Sequence, residues 1–260
     1  MFEAVLYEVE AGVATLTLNR PEKYNAINDQ LTSDLYAAFK RAEADASARA
    51  VVLTGAGRGF CAGQDLGDRL ALDESLRLAD SVRERYNLLI AKMHAMPIPV
   101  IAAVNGACAG AGFGLALACD LRFAADDAKF TMAFSRIGLV PDSGTSYFLS
   151  RLVGVGRALE LAWTGDIFTA DQAQQWGIVN RLLPADELLA STRAFATQLA
   201  SGPTVAYRLT KRLIHENFSA TLPQALEREA EFQDIAGRTA DFREGVRAFA
   251  EKKTPEFRGE

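Results

Sequence analysis

The chain has 260 residues, of which 49% are hydrophobic, and a formal net charge of −5. That length can form one large domain, or a main domain with a smaller appendage, and its apolar content suffices for a core without disulfide bonds. The acidic balance argues against a nucleic-acid partner, and three cysteines without a CxxC pair, beside only two histidines, argue against a Cys/His metal site.

The beginning of the chain predicts a β-hairpin. Residues 5–9 and 13–18 alternate between apolar and polar side chains, with Ala11 and Gly12 between them. Asn28 then caps a predicted helix over 29–46, and 50–54 is a short buried strand. The stretch 73–96 predicts a helix and 99–104 a strand. A glycine-rich turn then opens a helix to about Cys119, and 121–125 is a further strand. Strands alternating with helices in this way indicate an α/β domain.

Beyond Gly144 the periodicity is mostly helical. Capping boxes are predicted at 169–172 and 221–224, and Pro203 suits the first turn of a helix that ends near Glu216. The last sixty or so residues predict three amphipathic helices with little core of their own. We therefore divide the chain into a main domain, 1–200, and a helical region, 201–260. Trp163 and Trp176 are assigned to the core.

No targeting or membrane segment is expected. The first ten residues lack the basic start and apolar run of a signal peptide, and the longest apolar run, 98–104, is too short to span a bilayer. These features predict a soluble, cytoplasmic protein.

Two glycine-rich turns, 55–59 and 105–112, each follow a short buried strand. Neither has the third glycine of a dinucleotide fingerprint, and the chain has no P-loop and no GxSxG elbow. Glycine lets a ligand approach the backbone, and helix N-termini offer unpaired N–H donors to an oxygen that becomes negative. Each turn is therefore either an oxyanion-binding element or an ordinary tight turn.

Asp142 is the candidate general base. It follows Pro141 in an apolar context that favours partial desolvation, which raises the pKa of a carboxyl group; the alternative is a helix cap. The string 142–145 also matches the D-S/T-G-S/T motif of aspartic proteases, but it occurs once and lies amid helical periodicity. Cys61 has no evident histidine partner, and Asp65 and Asp120 have local sequences typical of structural roles.

The chain resembles the enoyl-CoA hydratase/isomerase (crotonase) superfamily almost from end to end. The resemblance rests on 59–66, on 105–112 with Cys119-Asp120, on 18–21 and on 176–179. It implies a spiral of ββα turns with a helical C-terminal region that forms trimers, often dimers of trimers. It also implies a coenzyme A thioester substrate, so that CoA enters with the substrate and no separate cofactor is expected.

The same resemblance implies roles for individual residues. The backbone N–H groups of Gln64 and Ala111 would bind the thioester oxygen. Ala62 would contact the adenine end of CoA, Lys23 its phosphates, and Phe257 the CoA of an adjacent subunit. The candidate contacts with the substrate are completed by Asp65, Gly110 and Phe134.

Two departures from the family pattern argue against ordinary hydration. Hydratases of the family use two catalytic glutamates. At the two corresponding positions this chain has Gly114 and Phe134. Asp142 remains as a single carboxylate, which suffices for isomerisation. Residues 130–142 resemble the ring-1,2-epoxyphenylacetyl-CoA isomerases of phenylacetate degradation, in which the matching aspartate is the acid/base residue. We therefore expect a CoA-thioester isomerase. The alternatives are a Δ3-Δ2-enoyl-CoA isomerase of fatty-acid breakdown and a non-catalytic CoA-ester binding protein.

Overall fold

The chain begins with a hairpin and a helix that fix its first layer. The computed structural model describes residues 2–67 and 77–260. Strands β1 (Val5–Glu10) and β2 (Val13–Leu18) pair antiparallel, as the alternation predicts. Helix α1 (Asp29–Ala44) begins after Asn28, whose side chain accepts a hydrogen bond from the N–H of Leu31. The buried stripe of α1 includes Leu31, Leu35 and Phe39.

Three successive strand pairs then build two sheets. Each pair contributes one strand to a large sheet and the next to a small sheet: β3 (Ala50–Gly55) with β4 (Gly59–Cys61), β5 (Val100–Val104) with β6 (Ala107–Ala109), and β7 (Leu121–Ala125) with β8 (Lys129–Thr131). The large sheet has the order β1-β2-β3-β5-β7-β10 and is parallel from β2 onward; β10 is Arg181–Leu183. The small sheet has the order β4-β6-β8-β9, with β9 at Phe168–Thr169. This α/β arrangement of successive strand pairs agrees with the fold that the resemblance implies.

Helices cover and connect the strands. The segment before β5 consists of α2 (Leu78–Ser81), a π-helical stretch (Val82–Asn87) and α3 (Leu88–His94). The predicted start of this helix at 73 lies outside the described residues. The remaining helices of the main part are α4 (Ala111–Ala118), α5 (Thr145–Thr164), α6 (Ala170–Gln175) and α7 (Leu188–Ala200). Every residue of α4 is buried, as are those of β3 and β5, so the core lies where these elements meet.

The last part of the chain is helical, as predicted, with α8 (Thr204–Asn217), α9 (Leu222–Gly237) and α10 (Ala240–Glu251). Lys211 of α8 forms an ion pair of 2.9 Å with Asp120, at the end of α4. Arg49 donates to the carbonyl of Gly202 at 2.6 Å. These contacts hold the start of the helical region against the sheet domain.

One core assignment is wrong. Trp163, near the end of α5, is 72% exposed, whereas Trp176 is half-buried and its ring faces Arg157 and Phe168. An apolar side chain on a helix does not by itself show which surface it packs against. Within 2–67 and 77–260, the helices are each too short or too polar to cross a bilayer, and no group of His, Cys, Asp and Glu side chains could hold a metal ion.

Candidate active site

The first candidate oxyanion donor lies directly after β4. Gly63 has φ +93°, a conformation that side chains other than glycine rarely adopt. Ile27 donates its N–H to the carbonyl of Gly63 at 2.7 Å, and the N–H of Asp65 donates back to Ile27 at 2.9 Å. In such a parallel bridge, the intervening residue points its own N–H to the opposite side. The N–H of Gln64 is therefore directed away from Ile27.

The second candidate donor is the first residue of α4. Gly110 precedes the helix with φ +50° and ψ −123°, and Ala111 follows it. The N–H groups in the first turn of a helix have no intrahelical acceptor and lie at the positive end of its dipole. A Cβ atom built on Gly63 would lie 3.7 Å from the nitrogen of Ala111. The two glycine turns thus bring the backbones of 63–64 and 110–111 together.

Both donors border a cavity of about 1070 Å³. Its walls are largely apolar, and the described side chains that form them include Leu66, Leu78, Val82, Tyr86, Phe134, Ile137, Leu139 and Val140. Arg83 and Arg136 add positive charge to the lining. A cavity of this size and composition suits an apolar organic group fixed by a few polar contacts.

Asp142 lines the same cavity and is half-buried. Its carbonyl accepts hydrogen bonds from the N–H of Thr145 at 2.9 Å and from the Thr145 hydroxyl at 2.6 Å, which closes the turn that starts α5. The hydroxyl of Ser143 donates to Oδ1 of Asp142 at 2.8 Å. Of the described residues that line the cavity, Asp142 is the only one with a carboxylate.

The two positions that the resemblance assigns to hydratase glutamates carry no acid. Gly114 lies in the buried helix α4, and Phe134, 7% exposed, forms part of the cavity wall. Neither residue can transfer a proton. Any proton transfer by a described carboxylate in this cavity therefore depends on Asp142.

Tyr86 is a cavity residue that the sequence did not single out. It is buried within the π-helical stretch, and its hydroxyl donates to the side-chain oxygen of Gln64. π-Helical turns often occur at functional sites. An aromatic residue in a polar stretch was the available signal, but a sequence cannot reveal the irregular turn that directs Tyr86 toward Gln64.

The other sequence-predicted residues divide into two groups. Ala62 and Gly110 line the cavity, together with Phe134. Lys23 is exposed in a short 3-10 turn (Pro21–Lys23), and Phe257 packs near Gly245; neither is part of the described cavity lining.

Asp65 is also absent from the described lining, because its carboxylate is engaged elsewhere. It is buried and pairs with Arg20 at 2.9 Å. Burial raises the pKa of Asp65, but the hydrogen bond and positive charge of Arg20 outweigh this effect and hold the pKa below its usual value. This geometry is that of a structural ion pair, next to the candidate donor Gln64.

Cys61 has the environment of an inert thiol. It is fully buried in β4, its Sγ donates to the carbonyl of Asn25 at 3.1 Å, and burial raises its pKa to about 12. The thiolate is the nucleophilic form of cysteine, so a pKa this high excludes Cys61 as a nucleophile near neutral pH.

Comparisons with known proteins show what the chain as a whole is similar to. Residues 8–260 match the family model described as enoyl-CoA hydratase/isomerase. The chain is 45% identical over its full length to the 1,2-epoxyphenylacetyl-CoA isomerase of Escherichia coli K12, covering 100% of both chains. It is also 45% identical to a probable enoyl-CoA hydratase of Rhodobacter capsulatus, covering 99% of both. The crystal structure of an enoyl-CoA hydratase from Bacillus anthracis superposes with a TM-score of 0.92 at 33% identity, over 99% of this chain and 100% of the other.

Proposed function

This chain belongs to the enoyl-CoA hydratase/isomerase (crotonase) family, and from that premise we propose that it is an isomerase of CoA thioesters. The observation that carries the proposal is the single described carboxylate, Asp142, in a cavity that also receives the Gln64 and Ala111 backbones. Hydration needs one group to activate water and another to manage the α-proton. Isomerisation needs only one group that removes a proton and later returns it.

The proposed reaction is a proton shuttle. The thioester oxygen accepts hydrogen bonds from the N–H groups of Gln64 and Ala111. Asp142 removes a proton from the carbon next to the thioester carbonyl, and the electron pair left behind forms an enolate. The carboxylic acid then returns the proton to the γ-carbon, so that a β,γ double bond becomes conjugated and no other reactant is consumed. Two preorganised donors stabilise the enolate oxygen most strongly where water is excluded.

The substrate that we propose is 1,2-epoxyphenylacetyl-CoA, an intermediate of phenylacetate catabolism. The bond between its two epoxide carbons breaks as the ring double bonds shift, which gives a seven-membered oxepin ring with a β,γ double bond. The proton shuttle then moves a proton from the α- to the γ-carbon, so that the oxepin thioester is conjugated and no atom is gained or lost. Support comes from the full-length similarity to the Escherichia coli enzyme and from the apolar cavity walls. The same walls also suit an aliphatic 3-enoyl chain, as in fatty-acid breakdown. Comparison of kcat/KM for the ring epoxide and for an aliphatic 3-enoyl-CoA decides between these substrates.

The central test is Asp142→Asn, which keeps the size of the side chain but removes its basicity. We expect kcat to fall by about a hundredfold to ten-thousandfold, while the substrate thioester still binds. The control is Asp127→Asn, in an exposed turn that does not contribute to the described cavity lining. Undiminished turnover of Asp142→Asn would rule out the mechanism. A wild-type protein that binds the thioester without exchanging α-protons into D₂O would instead be a binding protein.

The proposal extends to assembly and location. Helix α10 exposes Phe242, Val246 and Phe249, the last at 87%. Exposed apolar side chains on one element are typical of an association surface. We infer a cytoplasmic homotrimer or dimer of trimers, with residues 201–260 as the oligomerisation region. Light scattering would then give a mass three or six times that of one chain, and a monomer would refute this part of the proposal.

A further inference from the structure

The turn that carries Asp142 has an unusual backbone. Ser143 adopts φ +51° and Gly144 φ +73°, so two successive residues are left-handed. A serine at positive φ is strained, and such strain persists only where the surroundings hold it. Ser143 is 1% exposed, and its hydroxyl donates to Oδ1 of Asp142. The strained residue is thus the one that binds the carboxylate.

The surroundings that hold Ser143 are supplied by α4. A Cβ atom built on Gly114 would lie 2.6 Å from the carbonyl oxygen of Ser143 and 2.7 Å from its Cβ atom. Real Cβ atoms do not approach other heavy atoms so closely. The turn therefore packs directly on the bare backbone of Gly114, and a side chain of any kind at this position would displace it.

We propose that Ser143 and Gly114 are positioning residues for Asp142. The serine hydroxyl orients the carboxylate in the cavity, and the absence of a side chain at Gly114 leaves the space that the turn occupies. This proposal rests on the proposed role of Asp142 as the base. It also means that an acidic side chain at position 114 would displace Asp142 from its present position, so the two cannot occur together. The absence of the first hydratase glutamate is then a structural requirement of the single-carboxylate arrangement.

The serine hydroxyl has a measurable signature. A hydrogen bond to an ionised carboxylate favours the charged form, so its removal raises the pKa of the carboxyl group. In Ser143→Ala we expect the acid limb of the kcat/KM–pH profile to move up by roughly one pH unit. A merely structural serine would leave this profile in place. Ser143→Gly should give the same shift, because glycine tolerates the positive φ and also lacks the hydroxyl. The control is Ser150→Ala, whose hydroxyl bonds only within α5.

The packing on Gly114 is tested separately. Gly114→Ala should lower kcat by about a hundredfold, because displacement of a reacting group by about 1 Å has that effect. Gly156→Ala is the matched control, since a Cβ atom there meets nothing within 4 Å. In the double variant Gly114→Ala/Ser143→Ala, the losses should not add, because both changes act through one turn.

The outcomes separate this inference from the proposed function. Full turnover of Asp142→Asn would show that Asp142 is not the base, and the proposed function would fail with it. An inactive Asp142→Asn combined with wild-type pH profiles in Ser143→Ala and Ser143→Gly would overturn the role of Ser143 alone. Wild-type kcat in Gly114→Ala would overturn the role of Gly114. If Ser143→Ala fails to fold, as judged by circular dichroism, Ser143→Gly decides the question.

Discussion

Substitution of Gly63 tests whether the Gln64 N–H is an oxyanion donor. A Cβ atom on Gly63 would lie 2.9 Å from the carbonyl oxygen of Ala109, and its φ of +93° is unfavourable for alanine. Left-handed backbone costs an L-residue about 1–2 kcal/mol. The close contact between the new Cβ atom and the Ala109 carbonyl oxygen can be relieved only if the two glycine turns move apart. In Gly63→Ala we expect the free energy of unfolding to fall by about 2 kcal/mol.

The catalytic effect should be larger than this stability effect. Loss of one oxyanion-hole donor typically lowers kcat about a hundredfold to a thousandfold. The measurements are kcat and KM with the CoA thioester, together with urea unfolding. Gly177→Ala is the control, because φ there is +77° and a Cβ atom meets nothing within 4 Å. It should lose comparable stability but keep its turnover. If Gly63→Ala is destabilised as calculated yet retains wild-type kcat, the N–H of Gln64 does not stabilise the reaction.

Two further predictions concern groups outside the cavity. Burial, and then the neighbouring His215 and Lys211, lower the pKa of His94 below 6.5, although Asp120 opposes this. Because His94 binds a proton more readily in the unfolded chain, the free energy of unfolding should fall as the pH drops below 6.5. Urea unfolding between about pH 7.5 and about pH 5.5 should show a smaller fall for His94→Gln than for the wild-type protein. Parallel plots of unfolding free energy against pH for the two proteins would contradict this. The three buried thiols, two with a pKa of about 12, should resist a thiol reagent at about pH 8 until the protein unfolds, and rapid labelling of the native protein would show otherwise.

Long patterned elements could be predicted from the sequence. The hairpin, α1 and the three C-terminal helices each contain enough alternation or periodicity to identify them, and their caps mark the boundaries. Strands β4, β6, β8, β9 and β10 were missed. None has more than three residues, too few to show a period, and β4 and β6 lie within or beside the glycine turns. The small sheet is specified by tertiary pairing, so local sequence contains little sign of it.

The site could be predicted only in part, and for a physical reason. Glycines before Gln64 and Ala111 indicate unusual backbone, and Pro141 marks the turn at Asp142. Their meeting at one cavity depends on strands and helices that lie far apart in the chain. The resemblance supplied the pairing that local chemistry could not. The contact of Gly114 with Ser143 has no sequence signal, since it depends on the distance between α4 and the start of α5.

The two proposed oxyanion donors are main-chain N–H groups, and this has an evolutionary consequence. Replacement of the glutamine or alanine side chain leaves each amide in place, so carbonyl activation survives most mutations at 64 and 111. The proposed proton-transferring group, Asp142, is by contrast a side chain on a separate turn and can be exchanged or moved by single substitutions. A scaffold with this division can acquire a new reaction by relocating an acid, because its means of stabilising the enolate is inherited intact.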